Sequence, residues 1–252
     1  MTQALPLGSF NSSRLVRFFS DLQVTDVEVS HKNIADRLGQ LIDLPDSIAL
    51  ADAHKNIARL KYKPSQTSSN AVMAEFTNVR KSIIQLIVTS FIPGEGPPWL
   101  SLPTTKVDVS VDDVVSFEAY QRFYTSHQRE IDFKVRNLRL FVRESVEGTS
   151  VALAQLVALD AAMDDTLSLH ARKLFSNVPK LLEKRFKYLL QVFQKEHLDY
   201  RNENPLAWLE TGGWLDAFYT EMQGLLLAEV EVRLQPVLGL IEAFNEEKNR
   251  NL

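Results

Sequence analysis

Over residues 131–146, and again over 215–244, apolar side chains recur in steps of three and four, with no proline intervening except Pro236. The first stripe is Ile131, Val135, Leu138, Val142 and Val146; the second runs from Leu215, Phe218 and Met222 through Leu226, Val230 and Leu234 to Val237, Ile241 and Phe244. A stripe of that length specifies an amphipathic helix too long to be buried by a single loop, so its seam has to be covered by another helix. The spacing therefore predicts an all-α protein: a long-helix bundle with coiled-coil character.

The breakers between stripes divide the chain. Residues 112–147 read as one helix, and Gly148 with Thr149 make a tight turn. Ala152, Leu156, Leu159, Met163 and Leu167 then form the stripe of an antiparallel partner, giving an αα-hairpin. Pro179 fits the first turn of a further helix, with Leu182, Phe186 and Phe193 on its apolar face, and Asn204, Pro205, Gly212 and Gly213 stop it. A last helix over 214–247 should be kinked at Pro236. Residues 112–252 thus form a bundle with four elements. Ahead of it, 1–60 read as a small module of short helices, one over 15–22, one over 34–42 and one from Asp46 to Leu60. Residues 61–111 hold a helix over 72–92, β-branched enough near its end to leave a strand as the alternative. It is flanked by KYKPSQTSSN and by PGEGPPWLSLP, where four prolines and two glycines fall within 93–103.

Composition narrows the chemistry. With 45% hydrophobic residues in 252, a real core is available, and the absence of cysteine removes disulfides, thiolate metal sites and thiol nucleophiles. The N-terminus lacks a basic segment followed by an apolar one, and the longest apolar run, 83–92, is interrupted and too short for a bilayer. A cytoplasmic protein without membrane insertion is the expectation. GEGPPW lacks the lysine of a phosphate-binding loop, and the five histidines form no metalloprotease or paired bundle motif. No catalytic residue, metal ligand or cofactor is assigned on these grounds. His127 and Glu130, three apart, would supply only part of a metal site. Asp160, Asp164 and Asp165 read as a carboxylate cluster or, because Asp160 falls opposite Arg136 across the hairpin, as half of an interhelical ion pair.

The charge is polarised although the whole chain carries only −4. Arg122, Arg129, Arg136 and Arg143 repeat every seventh residue, about 10.5 Å apart on a helix, in a segment with six basic residues against two acids. Residues 170–201 hold eight basic residues, Lys180, Lys184, Arg185 and Lys187 among them, against three acids, whereas 203–252 hold nine acids against three bases. Two readings follow: the four arginines and the 180–187 cluster track the phosphates of DNA or RNA, or the basic helices pair with the acidic last one, within or between chains.

Several strings add a resemblance: SFNSSRLVRFFSDL at 9–22, FEAYQRFYTSHQREID at 117–132, LVALDAAM at 156–163, NVPKLLEKRF at 177–186 and LQPVLGLIEAF at 234–244. Together they resemble a proteobacterial family of unknown function encoded beside MotA/TolQ/ExbB-like and OmpA/MotB-like genes, a neighbourhood like that of the third type of Zorya anti-phage defence. Residues 46–111 match it poorly. The resemblance implies a cytoplasmic accessory component of a proton-motor-linked defence system, recruited to the inner-membrane motor; the long apolar stripes add neighbour-encoded proteins or further copies of itself as expected partners, and the arginine stripe adds DNA. The competing expectations are a metal-dependent nuclease built on Asp160, Asp164 and Glu130, and a purely structural adaptor for the motor.

Overall fold

The structure is a computed structural model that describes residues 43–60, 69–103, 111–202 and 204–250. The expected helices over 15–22 and 34–42 lie outside the described residues, as does most of the linker over 61–70. The described residues form helices and no strand: α1 Leu44–Ile57, α2 Ser69–Ser90, α3 Val111–Val114, α4 Phe117–Glu147, α5 Val151–Glu196 and α6 Trp214–Arg250, with short 3-10 turns at Pro98–Leu100, Tyr200–Asn202 and Pro205–Leu209. The long helices pack as a bundle, and the β-branched stretch before Ser90 is helical.

Local chemistry explains where the helices start. The cap of α1 is Asp43 rather than Asp46: the Asp43 side chain accepts from the Asp46 backbone N–H at 2.9 Å, and the Asp46 carboxylate accepts from the Asp43 N–H at 3.3 Å. That capping box draws Leu44 and Pro45 into the first turn, where proline's missing N–H costs nothing. Ser150 caps α5 by accepting from the Leu153 N–H at 3.2 Å. The expected single helix from 112 is interrupted at Val115 and Ser116. Two β-branched residues precede a serine suited to an N-cap, and the Tyr120 hydroxyl donates to the Val114 carbonyl left over at the end of α3 (3.2 Å).

One expected boundary is absent. Pro179 lies inside α5, which runs unbroken for 46 residues, so α4, α5 and α6 take the place of four bundle elements. Proline removes one hydrogen bond to the carbonyl four residues earlier, that of Phe175, but it does not stop a helix whose neighbouring turns are held by packing. Pro179 is itself buried.

Backbone contacts divide the chain into two compact units. The first comprises Leu86–Gln128 and Pro179–Val232, and its core is aromatic. Phe186 stands 5.2 Å from Tyr120, 5.1 Å from Phe218, 5.4 Å from Trp214 and 5.6 Å from Phe117, ring centre to ring centre. Each such ring contributes about 2 kcal/mol through burial, and edge-on pairs add about 1 kcal/mol. Burial pushes the Tyr120 hydroxyl far above its ordinary pKa, with a further rise from neighbouring Tyr219. The second unit comprises the described residues of His31–Gln85, Arg129–Val178 and Arg233–Leu252, and its core is aliphatic. The whole stripe Ile131, Val135, Leu138, Val142 and Val146 is buried there, with Leu234, Val237, Ile241 and Phe244 from α6. On α5 Leu153, Ala154, Val157, Phe175 and Val178 are buried in this unit, whereas Ala152 and Leu159 of the expected stripe are exposed.

Candidate nucleic-acid interface

The buried seam of α5 runs Leu153, Val157, Asp160, Asp164, so two carboxylates stand where apolar residues would continue the pattern. Their partners come from the same hairpin. Asp160 accepts from Arg143 Nε at 2.7 Å and from Arg139 Nε at 3.0 Å, and Arg139 Nη2 closes a second contact with it. Asp164 accepts from Arg143 Nη2 at 3.2 Å and also pairs with Arg139. Two guanidinium groups and two carboxylates thus neutralise one another, with Arg139, Arg143 and Asp160 only 15%, 14% and 12% exposed and Asp164 38% exposed at the edge.

The expected pairing of Asp160 with Arg136 is therefore replaced. Arg136 donates to Asp132 on its own helix at 2.8 Å. The turn is centred on Thr149 rather than Gly148, because Gly148 to Ser150 all lie outside the helices. Residue 139, about 60° around the helix from 136, then faces α5.

The seven-residue arginine repeat separates into different environments. Arg122 is exposed, 3.8 Å from Glu118; Arg129 is exposed; Arg136 is exposed beside Asp132; Arg143 is engaged by Asp160 and Asp164. In the 180–187 cluster, Arg185 is also engaged: its guanidinium grips Glu221 of α6 through Nε at 2.9 Å and Nη2 at 2.6 Å. That bond holds the Arg185 pKa above its ordinary value, against a smaller opposing effect of burial. Lys180 and Lys184 are exposed, and Lys187 is exposed with its ammonium 2.6 Å from Glu183.

Two buried polar groupings lie in the first unit, around Glu229 and His127. Glu229, fully buried on α6, accepts from the Tyr124 hydroxyl at 2.6 Å and from Gln128 Nε2 at 2.8 Å. His127, also fully buried, has Nδ1 2.9 Å from the Phe123 carbonyl, which can only accept, so Nδ1 carries the proton. Its Nε2 is 2.7 Å from the Ser90 hydroxyl, which lies 2.8 Å from the Ile87 carbonyl. Desolvation lowers the His127 pKa, opposed in part by the Phe123 hydrogen bond. Glu130, its supposed companion, is 3.6 Å from Lys134 instead. The sequence cue for Glu229 is an acid within an apolar stripe, between Ala228 and Val230. For His127 the cue is its place three residues after Tyr124 on a helix face that is otherwise aromatic.

No group of three or more His, Asp or Glu side chains able to hold a metal ion occurs among the described residues. No helix among them is long and apolar enough to cross a membrane. The arrangement defines an all-α helical-bundle protein with charged pairs built into its helix contacts and a lysine-rich outer face. Its sequence places it further: the chain belongs to the family described as Protein of unknown function (DUF3348), whose model matches residues 1–246. No curated protein and no solved structure matches the chain.

Proposed function

We propose that this protein is a helical accessory component that acts by binding partners, other proteins and DNA, and that it serves a proton-driven membrane motor in anti-phage defence from the cytoplasmic side. The observation that carries the binding role is the outer surface of the second unit. There Phe133, Leu140 and Phe141 on α4, and Leu159, Leu169 and Leu174 on α5, are exposed, with Leu169 72% and Phe133 61% open to solvent. Phe133 and Leu140, seven residues apart, share one face of α4, and large apolar side chains exposed together on a helix face mark a surface that another molecule covers. The link to a motor rests on the resemblance of the 9–22, 117–132, 156–163, 177–186 and 234–244 strings to a family encoded beside MotA/TolQ/ExbB-like and OmpA/MotB-like genes.

The nuclease alternative is less well supported, because Asp160 and Asp164 already accept from Arg139 and Arg143. Co-expression with those neighbouring gene products, followed by light scattering of the purified material, tests the assignment. The expected result is a complex larger than one chain that dissociates when Phe133 and Leu140 are changed to Ser. A strictly monomeric chain that retains none of the neighbours would overturn it.

A further inference from the structure

The outer face of α5 in the first unit concentrates positive charge on one line. At about 100° per residue, Lys180, Lys184, Lys187 and Lys195 fall within about 80° of arc, and they extend over about 22 Å of helix axis. All four are exposed. Lys184 and Lys195 make no ion pair among the described residues, and Glu183 stands off the edge of the line against Lys187. Arg185 is turned away to Glu221 and does not belong to this face.

An aromatic ring lies at the edge of the same face. Tyr188 is 53% exposed, and the Arg185 guanidinium stands over its ring at 5.3 Å. Because Arg185 is itself clamped by two hydrogen bonds to Glu221 on α6, the ring is braced by a three-residue chain: Glu221, Arg185, Tyr188. An exposed tyrosine braced in this way, beside lysines about 4.5 to 12 Å apart along the axis, offers an aromatic ring to a ligand.

The geometry points to this face as a binding track for single-stranded nucleic acid, with the four lysines meeting successive phosphates and Tyr188 stacking on a base. It rests on the nucleic-acid part of the function proposed above and names both the surface and the form of the ligand. Charge complementarity requires a polyanion. The braced ring selects a strand with accessible bases over a duplex, whose bases are already stacked, or an acidic peptide, which has none.

Fluorescence anisotropy with a labelled oligo(dT) of about 20 nucleotides, across a salt series, tests this on the full chain. The parent should bind the strand more tightly than a duplex of equal length or polyglutamate. Replacing Lys180, Lys184, Lys187 and Lys195 with Gln should reduce the slope of log K against log salt by about 0.7 per lysine. Tyr188→Ala should weaken binding about tenfold, and Tyr188→Phe should restore it, since the ring and not the hydroxyl stacks. All five positions are exposed, so unchanged helicity by circular dichroism is expected of each variant. Tight binding by the parent that the lysine and tyrosine variants leave unaltered, or tighter binding of duplex or polyglutamate, would overturn this surface while leaving DNA binding in place. No binding of either nucleic acid at low salt would overturn the DNA reading as well, and neither result bears on assembly with the motor proteins.

Discussion

Arg143 on α4 donates from Nε to Asp160 on α5 across 2.7 Å, within a pair of side chains only 14% and 12% exposed. With Arg139 and Asp164 they form a charged layer in a helix contact that is otherwise aliphatic. A layer of this kind fixes which turns of the two helices face each other, as a polar residue in a coiled-coil seam fixes register.

Removing one member should cost more than removing all of them. Asp160→Ala leaves two guanidinium groups with little solvent and one fewer acceptor, and unfolding in urea should show a loss of about 3 kcal/mol. Replacing Arg139 and Arg143 with Met and Asp160 and Asp164 with Leu should recover most of that stability. A single-residue loss below about 1 kcal/mol would show that the layer is solvated in solution.

His127 makes stability depend on pH. The fold holds its pKa below the ordinary 6.5, so the unfolded chain takes up the proton first as pH falls. The stabilising effect of a neutral His127 is complete above about pH 6.5. It declines as pH drops below that value, and stops declining once the folded histidine is also protonated. The midpoint of urea unfolding should therefore fall between about pH 7 and pH 5 by more in the parent than in His127→Gln, and equal falls would refute the assignment.

Pro179→Ala should stabilise the protein. The change supplies an N–H to the Phe175 carbonyl within a helix that already runs through the position. The gain of about 1 to 2 kcal/mol is partly offset by the freer unfolded chain. A lower thermal midpoint would instead mean that packing of the buried proline ring outweighs the recovered hydrogen bond.

Two glycines should respond in opposite directions. A Cβ on Gly213 would collide with the Trp208 carbonyl, its carbon 2.8 Å away, whereas a Cβ on Gly239 meets nothing within 4 Å. Gly213→Ala should lower stability by about 2 kcal/mol and disturb tryptophan fluorescence, because Trp208 packs 5.9 Å from Trp214. Gly239→Ala, in the interior of α6, should raise stability by about 0.5 to 1 kcal/mol.

The amphipathic stripes of α4 and α6 were legible from residue spacing alone. Ile131, Val135, Leu138, Val142 and Val146 stand among mostly polar neighbours, so α4 can bury only that face, whereas the run from Leu215 to Phe244 holds so few polar residues that α6, with Leu225, Ala228 and Val230 buried beside Leu226, is covered over a wide arc. The residues VALAQLVAL at the start of α5 are apolar nearly all round, and their periodicity cannot choose between Leu153 with Val157 and Ala152 with Leu159. Packing against α4 made that choice. The same choice decided which arginines became part of the helix contact and which stayed outside: Arg139, outside the seven-residue repeat, was drawn in, and Arg143 left the outward-facing set to which Arg122, Arg129 and Arg136 still belong. Spacing along a chain fixes which side chains share a helix face, because that depends on one helix alone. Which face is buried, and which charge meets which, depends on how two helices are turned toward each other, and only the folded arrangement settles it.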